Sequence, residues 1–117
     1  MRVQHCVSEK SGMMGGRSYL AEIRVELDRA EREIISNYGV YTSFEVGERF
    51  MGKNGVDVLG AMRLDTLAQG LQAKFNSIQQ ADDFVLAVLS GLQTVKKQID
   101  LTRDAASRLN QKFEVEI

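Results

Sequence analysis

The 117-residue chain contains no proline, although average usage of about 5% would place roughly six in a chain this long. A stiff proline-rich linker is thereby excluded. A single cysteine cannot form an intramolecular disulfide, which fits a reducing compartment, and the cytoplasm is the expected location. With one histidine beside that cysteine, a zinc site would have at most two soft ligands, so no metal or other cofactor is expected. Long apolar runs are also missing. The most apolar stretch, Phe84 to Leu92, spans nine residues against the roughly 20 a transmembrane helix requires, and no membrane association is expected. Residues 1–10 carry Arg2, Gln4, His5, Glu9 and Lys10, which leaves no room for the apolar core of a secretory signal.

A field of one sign is absent too. Fifteen basic residues stand against sixteen acidic ones, for a net charge of -1. By segment, residues 1–27 hold four basic and three acidic groups, 28–50 three and five, 51–78 three and two, and 79–117 five and six. No segment exceeds a net +1, whereas phosphate contact needs a concentrated positive face. The strands also lack the paired exposed aromatics of an RNA-binding sheet. Nucleic acid is therefore a disfavoured partner. Only a fold that gathered Arg17, Arg24, Lys74 and Lys112 on one sheet face would revive it.

What is present is ordinary globular material. Hydrophobic residues at 44% and charged ones at 26% argue against wholesale disorder, and the length suits a single domain spanning 1–117. Met1 to Val7 alternates weakly, as a short edge strand does. Residues 8–17 hold Gly12, Gly15 and Gly16 and predict a loop. Tyr19, Ala21, Ile23, Val25 and Leu27 then alternate with Glu22, Arg24 and Glu26, the mark of a strand wet on one face. Asp28 follows as an N-cap with Glu31 three positions on, a capping-box pattern, and Ala30, Ile34, Ile35 and Tyr38 continue at helical spacing up to Gly39.

Val40 to Val46 alternates again and predicts a second strand, followed by a glycine-rich loop over 47–60. A short helix capped by Asp65 and stopped at Gly70 precedes a strand in which Leu71, Ala73 and Phe75 alternate with Gln72 and Lys74. From about Gln79 to Ala106 the period becomes helical, with Phe84, Val88, Leu92, Val95 and Ile99 forming the stripe. Arg108 to Gln111 should turn, and Lys112 to Ile117 should form a strand with Phe113, Val115 and Ile117 inward. The expected fold class is α+β: an antiparallel sheet of about three to five strands against one long C-terminal helix and one or two short ones.

Motifs with chemistry are few. Residues 47–53 match the opening of a phosphate-binding loop, but Asn54 stands where Ser or Thr should hold magnesium, and Val56, Asp57 and Val58 read as strand rather than helix. His5 and Cys6 are neighbours on a strand and point to opposite faces, so the histidine cannot activate the thiol, which we expect to be buried. Asp82 and Asp83 diverge by about 100° on a helix and cannot share a proton. Glu31, Glu33, Glu45 and Glu48 lie among Arg29, Arg32 and Arg49, the composition of a solvated face with surface ion pairs. No catalytic residue is assigned.

The informative feature is Phe84 to Leu89, six apolar residues in succession and therefore apolar around the whole helix. Such a helix needs cover on more than one side. Ala87, Ser90 and Gly91 add a small-residue face for close approach. Two covers are available, the short helix over 28–38 of the same chain and the same helix of a second copy. The expected cover is the second copy, with Val85, Leu86, Ala87, Leu89, Ser90 and Gly91 at a homodimer interface. The function this favours is a non-catalytic, homo-oligomeric protein-binding or accessory module, with another protein as a further partner. A second alternative is a nucleic-acid accessory protein, and the first is a small-ligand-binding domain or minor enzyme with a pocket near the glycine-rich loops. Its lining would be Tyr19, Tyr38, Tyr41, Arg49, Met51 and Lys53, with the flexible Met13, Met14 and Met62 nearby.

Overall fold

The structure, a computed structural model, describes residues 1–12, 15–46, 50–51, 57–58 and 61–117. Its elements in order are β1 (Arg2–Ser11), β2 (Arg17–Glu26), α1 (Arg29–Tyr38), β3 (Ser43–Glu45), β4 (Phe50–Met51), β5 (Asp57–Val58), β6 (Ala61–Arg63), α2 (Leu64–Gln69), β7 (Leu71–Phe75) and α3 (Ile78–Ala106). The main sheet is antiparallel with strand order β1-β2-β7, and two-stranded pairs β3-β6 and β4-β5 complete the ladders. The chain is α+β, as its patterning predicts.

The sheet is built on β2. Register runs from Arg2 opposite Glu26 to Ser11 opposite Arg17 on one side, and from Tyr19 opposite Phe75 to Ile23 opposite Leu71 on the other. Ala21, Ile23, Val25, Ala73 and Phe75 point inward and are buried, while Glu22, Arg24, Glu26, Gln72 and Lys74 face water. Across this face lies α3, which buries Ala81, Phe84, Val85, Val88, Leu92, Val95 and Ile99. The rings of Phe75 and Phe84 meet at 5.3 Å and 41°, an inclined aromatic pair at the centre of the core. Each large side chain sheltered here contributes about 1.5–3 kcal/mol relative to leaving it in water.

The caps follow the local chemistry. Asp28 accepts from the Glu31 amide at 2.7 Å and Glu31 returns the bond to the Asp28 amide at 3.1 Å, so both halves of the capping box form. Gly39 closes α1 at φ 62°, where a side chain would be strained, and donates to the Ile35 carbonyl. Ser77 caps α3 by accepting from the Gln80 amide.

Several expectations need correction. The predicted loop over 8–17 is largely ladder, because the β1–β2 register carries strand pairing through Ser11 and resumes it at Arg17. The strand expected over 40–46 shrinks to Ser43–Glu45, since only those three residues find a partner, in β6. Within the predicted 47–60 loop, Phe50 and Met51 pair with Val58 and Asp57. Helix α2 begins at Leu64 with Arg63 at its cap, so Asp65 sits inside the first turn and accepts from the Thr66 amide. The largest error concerns Lys112 to Ile117. Among the described residues they pair with no strand, and Phe113, Val115 and Ile117 are 64%, 77% and 119% exposed. The helix carries them away from the sheet, and the molecule measures 71 × 29 × 17 Å as a result.

Candidate interaction surface

Glu31 is the most perturbed ionisable group among the described residues. It belongs to the surface in a count of charges, yet it is fully buried. Its Oε1 accepts from the N-terminal amine of Met1 at 2.6 Å and from the Asp28 amide, while its Oε2 accepts from Lys96 Nζ at 3.1 Å. Burial pushes its carboxyl up, but the amine, the Asp28 amide and the Lys96 ammonium together outweigh burial and hold it down at about 2. Lys96 is raised by its hydrogen bond to Asp100, at 3.0 Å, and by that to Glu31. A carboxylate so saturated with donors is a poor proton acceptor near neutrality. Its arrangement is that of a strut joining the start of β1, the first turn of α1 and α3. The sequence did carry a signal for this: Glu31, Ile34, Ile35 and Tyr38 share one helical stripe, whereas Ala30, assigned to that stripe by pattern, is exposed.

The helix centre is covered mainly by its own chain. Val85 is buried at 3%, and Ala87, Leu89 and Gly91 are half-buried. Gly91 lies against the Phe44 ring of β3, so close that a Cβ built there would fall within the ring's van der Waals surface. The small-residue face therefore receives an aromatic ring from the same chain. Ser90 is exposed, and Leu86, 56% exposed, is the one large apolar side chain left open on this stretch. The excess of apolar perimeter expected to need a partner reduces to that leucine.

Of the six residues named for a ligand pocket, Tyr19, Tyr38 and Tyr41 have described side chains, and two of these come together. Tyr38 and Tyr41 converge on a depression of about 340 Å³ between the end of α1 and α3, with Phe44 and Val95 at its floor. Tyr41 also reaches a second depression of about 470 Å³, which the small residues Ala87, Ser90 and Gly91 line as well. Tyr19 is half-buried on β2, opposite Phe75. Met51 takes part by its backbone in the β4–β5 ladder. Arg49, Lys53, Met13 and Met14 and most of the phosphate-loop-like stretch lie outside the described residues.

On the outer sheet face, Cys6 is exposed rather than buried, beside Glu22 across the ladder, and His5 is exposed on the inner face of an edge strand. The four basic residues do not gather. Arg24 and Lys74 share the outer face, interleaved with Glu22 and Glu26. Arg17 is on the opposite face, 3.1 Å from Glu9, and Lys112 is outside the sheet. Among the described residues no cluster of three or more His, Cys, Asp or Glu side chains could hold a metal ion, and no helix is long and apolar enough to cross a membrane.

The remaining feature is a pair of open sheet edges and an unpaired strand-like segment. Among the described residues, β1 and β7 each have one strand neighbour, β2. Residues 112–117 alternate charged and apolar side chains, all in water. An open edge displays backbone donors and acceptors to any complementary strand. Comparison with protein-family models, with curated proteins and with solved structures finds no match.

Proposed function

We propose that this chain is a non-catalytic, homo-oligomeric protein-binding or accessory module of a reducing, cytoplasmic environment. One observation carries the reading: Phe113, Val115 and Ile117 stand in strand alternation and are exposed, on a molecule whose main sheet has two edges that no described strand occupies. Three large apolar side chains in water forgo about 1.5–3 kcal/mol each relative to burial, and association is the available way to recover it. The open Leu86 is a further apolar contact for a partner. Light scattering of the full chain at micromolar concentration tests the reading. A mass of twice 13.1 kDa or more is expected, and a monomer throughout overturns it.

A second reading, a small-ligand site, is favoured by the convergence of Tyr38 and Tyr41 on one depression over α3. Protection of both tyrosines from solvent quenching on addition of an aromatic or apolar small molecule would support it, and unchanged tyrosine emission across a fragment library counts against it.

A further inference from the structure

Two hexapeptides of this chain are complementary. Asn76 and β7 read, from Leu71, Leu-Gln-Ala-Lys-Phe-Asn, and residues 112–117 read Lys-Phe-Glu-Val-Glu-Ile. We infer that residues 112–117 of one copy add antiparallel to β7 in a second copy, along the edge that no described strand occupies, and that the exchange is reciprocal. This rests on the homo-oligomeric reading above and names its contact.

The register is set by both faces of the strand. With Phe113 opposite Phe75, Val115 falls opposite Ala73 and Ile117 opposite Leu71, all on the inner face. The outer face then places Glu114 opposite Lys74 and Glu116 opposite Gln72. Lys74 is exposed and forms no ion pair among the described residues. A slip of one residue would turn Phe113, Val115 and Ile117 outward. A slip of two in one direction sets Lys112 against Lys74, and in the other puts Glu116 there but carries Phe113 past the end of β7, to Ser77. The edge of β1 offers less. Its Arg2 already faces Glu26 at 3.9 Å, and its inner face exposes His5 and Glu9 to an incoming apolar side chain. A lysine on an open edge resists indiscriminate pairing, and the acidic segment answers it.

Reach decides between the chain's own segment and another copy's. The register needs Lys112 beside Asn76, where α3 begins. Helix α3 runs from Ile78 to Ala106, which at 1.5 Å per residue puts its end about 42 Å from its start. The residues between Ala106 and Lys112 span at most about 21 Å even when extended. The chain therefore cannot lay this segment antiparallel on its own β7, and a second copy can. A two-fold pair in which each copy gives and receives one strand closes on itself.

Sedimentation equilibrium of the full chain, four single exposed-site variants and one double variant tests this. Glu114→Pro and Val115→Pro are made separately, because successive amides of a strand point to opposite edges and one of the two must delete a bond to β7. At least one should raise the dimer dissociation constant about tenfold or more. Lys74→Glu and Glu114→Lys should each weaken association several-fold, and the double variant should restore it. Circular dichroism confirms that each variant remains folded. A wild-type dimer indifferent to both prolines and to the charge exchange overturns the strand assignment and leaves the homo-oligomeric reading standing. A wild-type monomer at every concentration overturns both.

Discussion

β7 and residues 113–117 carry the same binary code. Leu71-Gln-Ala-Lys-Phe75 and Phe113-Glu-Val-Glu-Ile117 each place three apolar side chains on one face and two polar ones on the other. The first is a sheet strand whose Ala73 and Phe75 are buried, and the second stands in water along its whole length. Alternation specifies a ribbon that could bury one face; it does not specify that a partner lies within reach. β7 leaves α2 directly beside β2, and Ile23 and Tyr19 receive it. Residues 113–117 leave the far end of a 29-residue helix, beyond the last buried stripe residue, Ile99. Identical patterning with opposite burial is a lesson about connection length rather than propensity.

The comparison breaks most sharply at its aromatic residues. Phe75 is fully buried and meets Phe84 at 5.3 Å, so Phe75→Ala should destabilise the fold by about 3–5 kcal/mol in urea denaturation. If Phe75→Ala costs under about 1 kcal/mol, the core assignment of β7 fails.

Next in size is the strut that ties α3 to the sheet end. Glu31 is held at about 2 against an ordinary value of 4.5, so its ionised form is favoured in the folded state. The sign follows: the stabilisation is present above pH 4.5 and is lost as pH falls through about 2. The loss amounts to about 2–3 kcal/mol over that window. Glu31→Gln should be less stable at pH 7 by a similar amount and should show a flatter acid limb. Parallel acid limbs for the two proteins would remove Glu31 from the account.

Gly91 comes third. A methyl there collides with the Phe44 ring, so Gly91→Ala should cost about 1–3 kcal/mol although alanine is the better helix former. Ser90→Ala, one residue away and exposed, should change stability by no more than about 0.5 kcal/mol. Equal effects at the two positions would show that Phe44 does not occupy the small-residue face.

These magnitudes also mark what was legible in the sequence. Period alone located β2, β7, α1 and α3, and the Asp28–Glu31 and Gly39 signals fixed both ends of α1 to the residue, because capping chemistry is local. Glu31 was misjudged for the same reason its helix was found. The capping box explained it, and nothing local reveals that Lys96, 65 residues away, also reaches it. The helix centre was misread because a run of six apolar residues does not disclose that Phe44, from a three-residue strand, fills the niche at Gly91. The pocket residues are chosen by type and neighbourhood; among the described ones Tyr38 and Tyr41 share a depression and Tyr19 lies apart on β2, since convergence is set by tertiary geometry.

The smallest expected effect completes the contrast. Phe113 is 64% exposed and is not among the described hydrophobic side chains packed against the core, so Phe113→Ala should leave the unfolding free energy of the monomer within about 0.5 kcal/mol of the parent. The measurement must be made well below the concentration at which copies associate, because a dimer adds concentration-dependent stability to any residue at its interface. Repeated at rising protein concentration, the two proteins should diverge, the parent gaining stability that the variant lacks. The same substitution at Phe75 should cost its full amount at every concentration. A residue whose contribution grows with concentration is one whose partner lies on another copy, and one whose contribution is constant has its partner within the chain. Failure of Phe113→Ala to separate from the parent at high concentration would return 112–117 to the status of a solvated extension, with the alternation left unexplained.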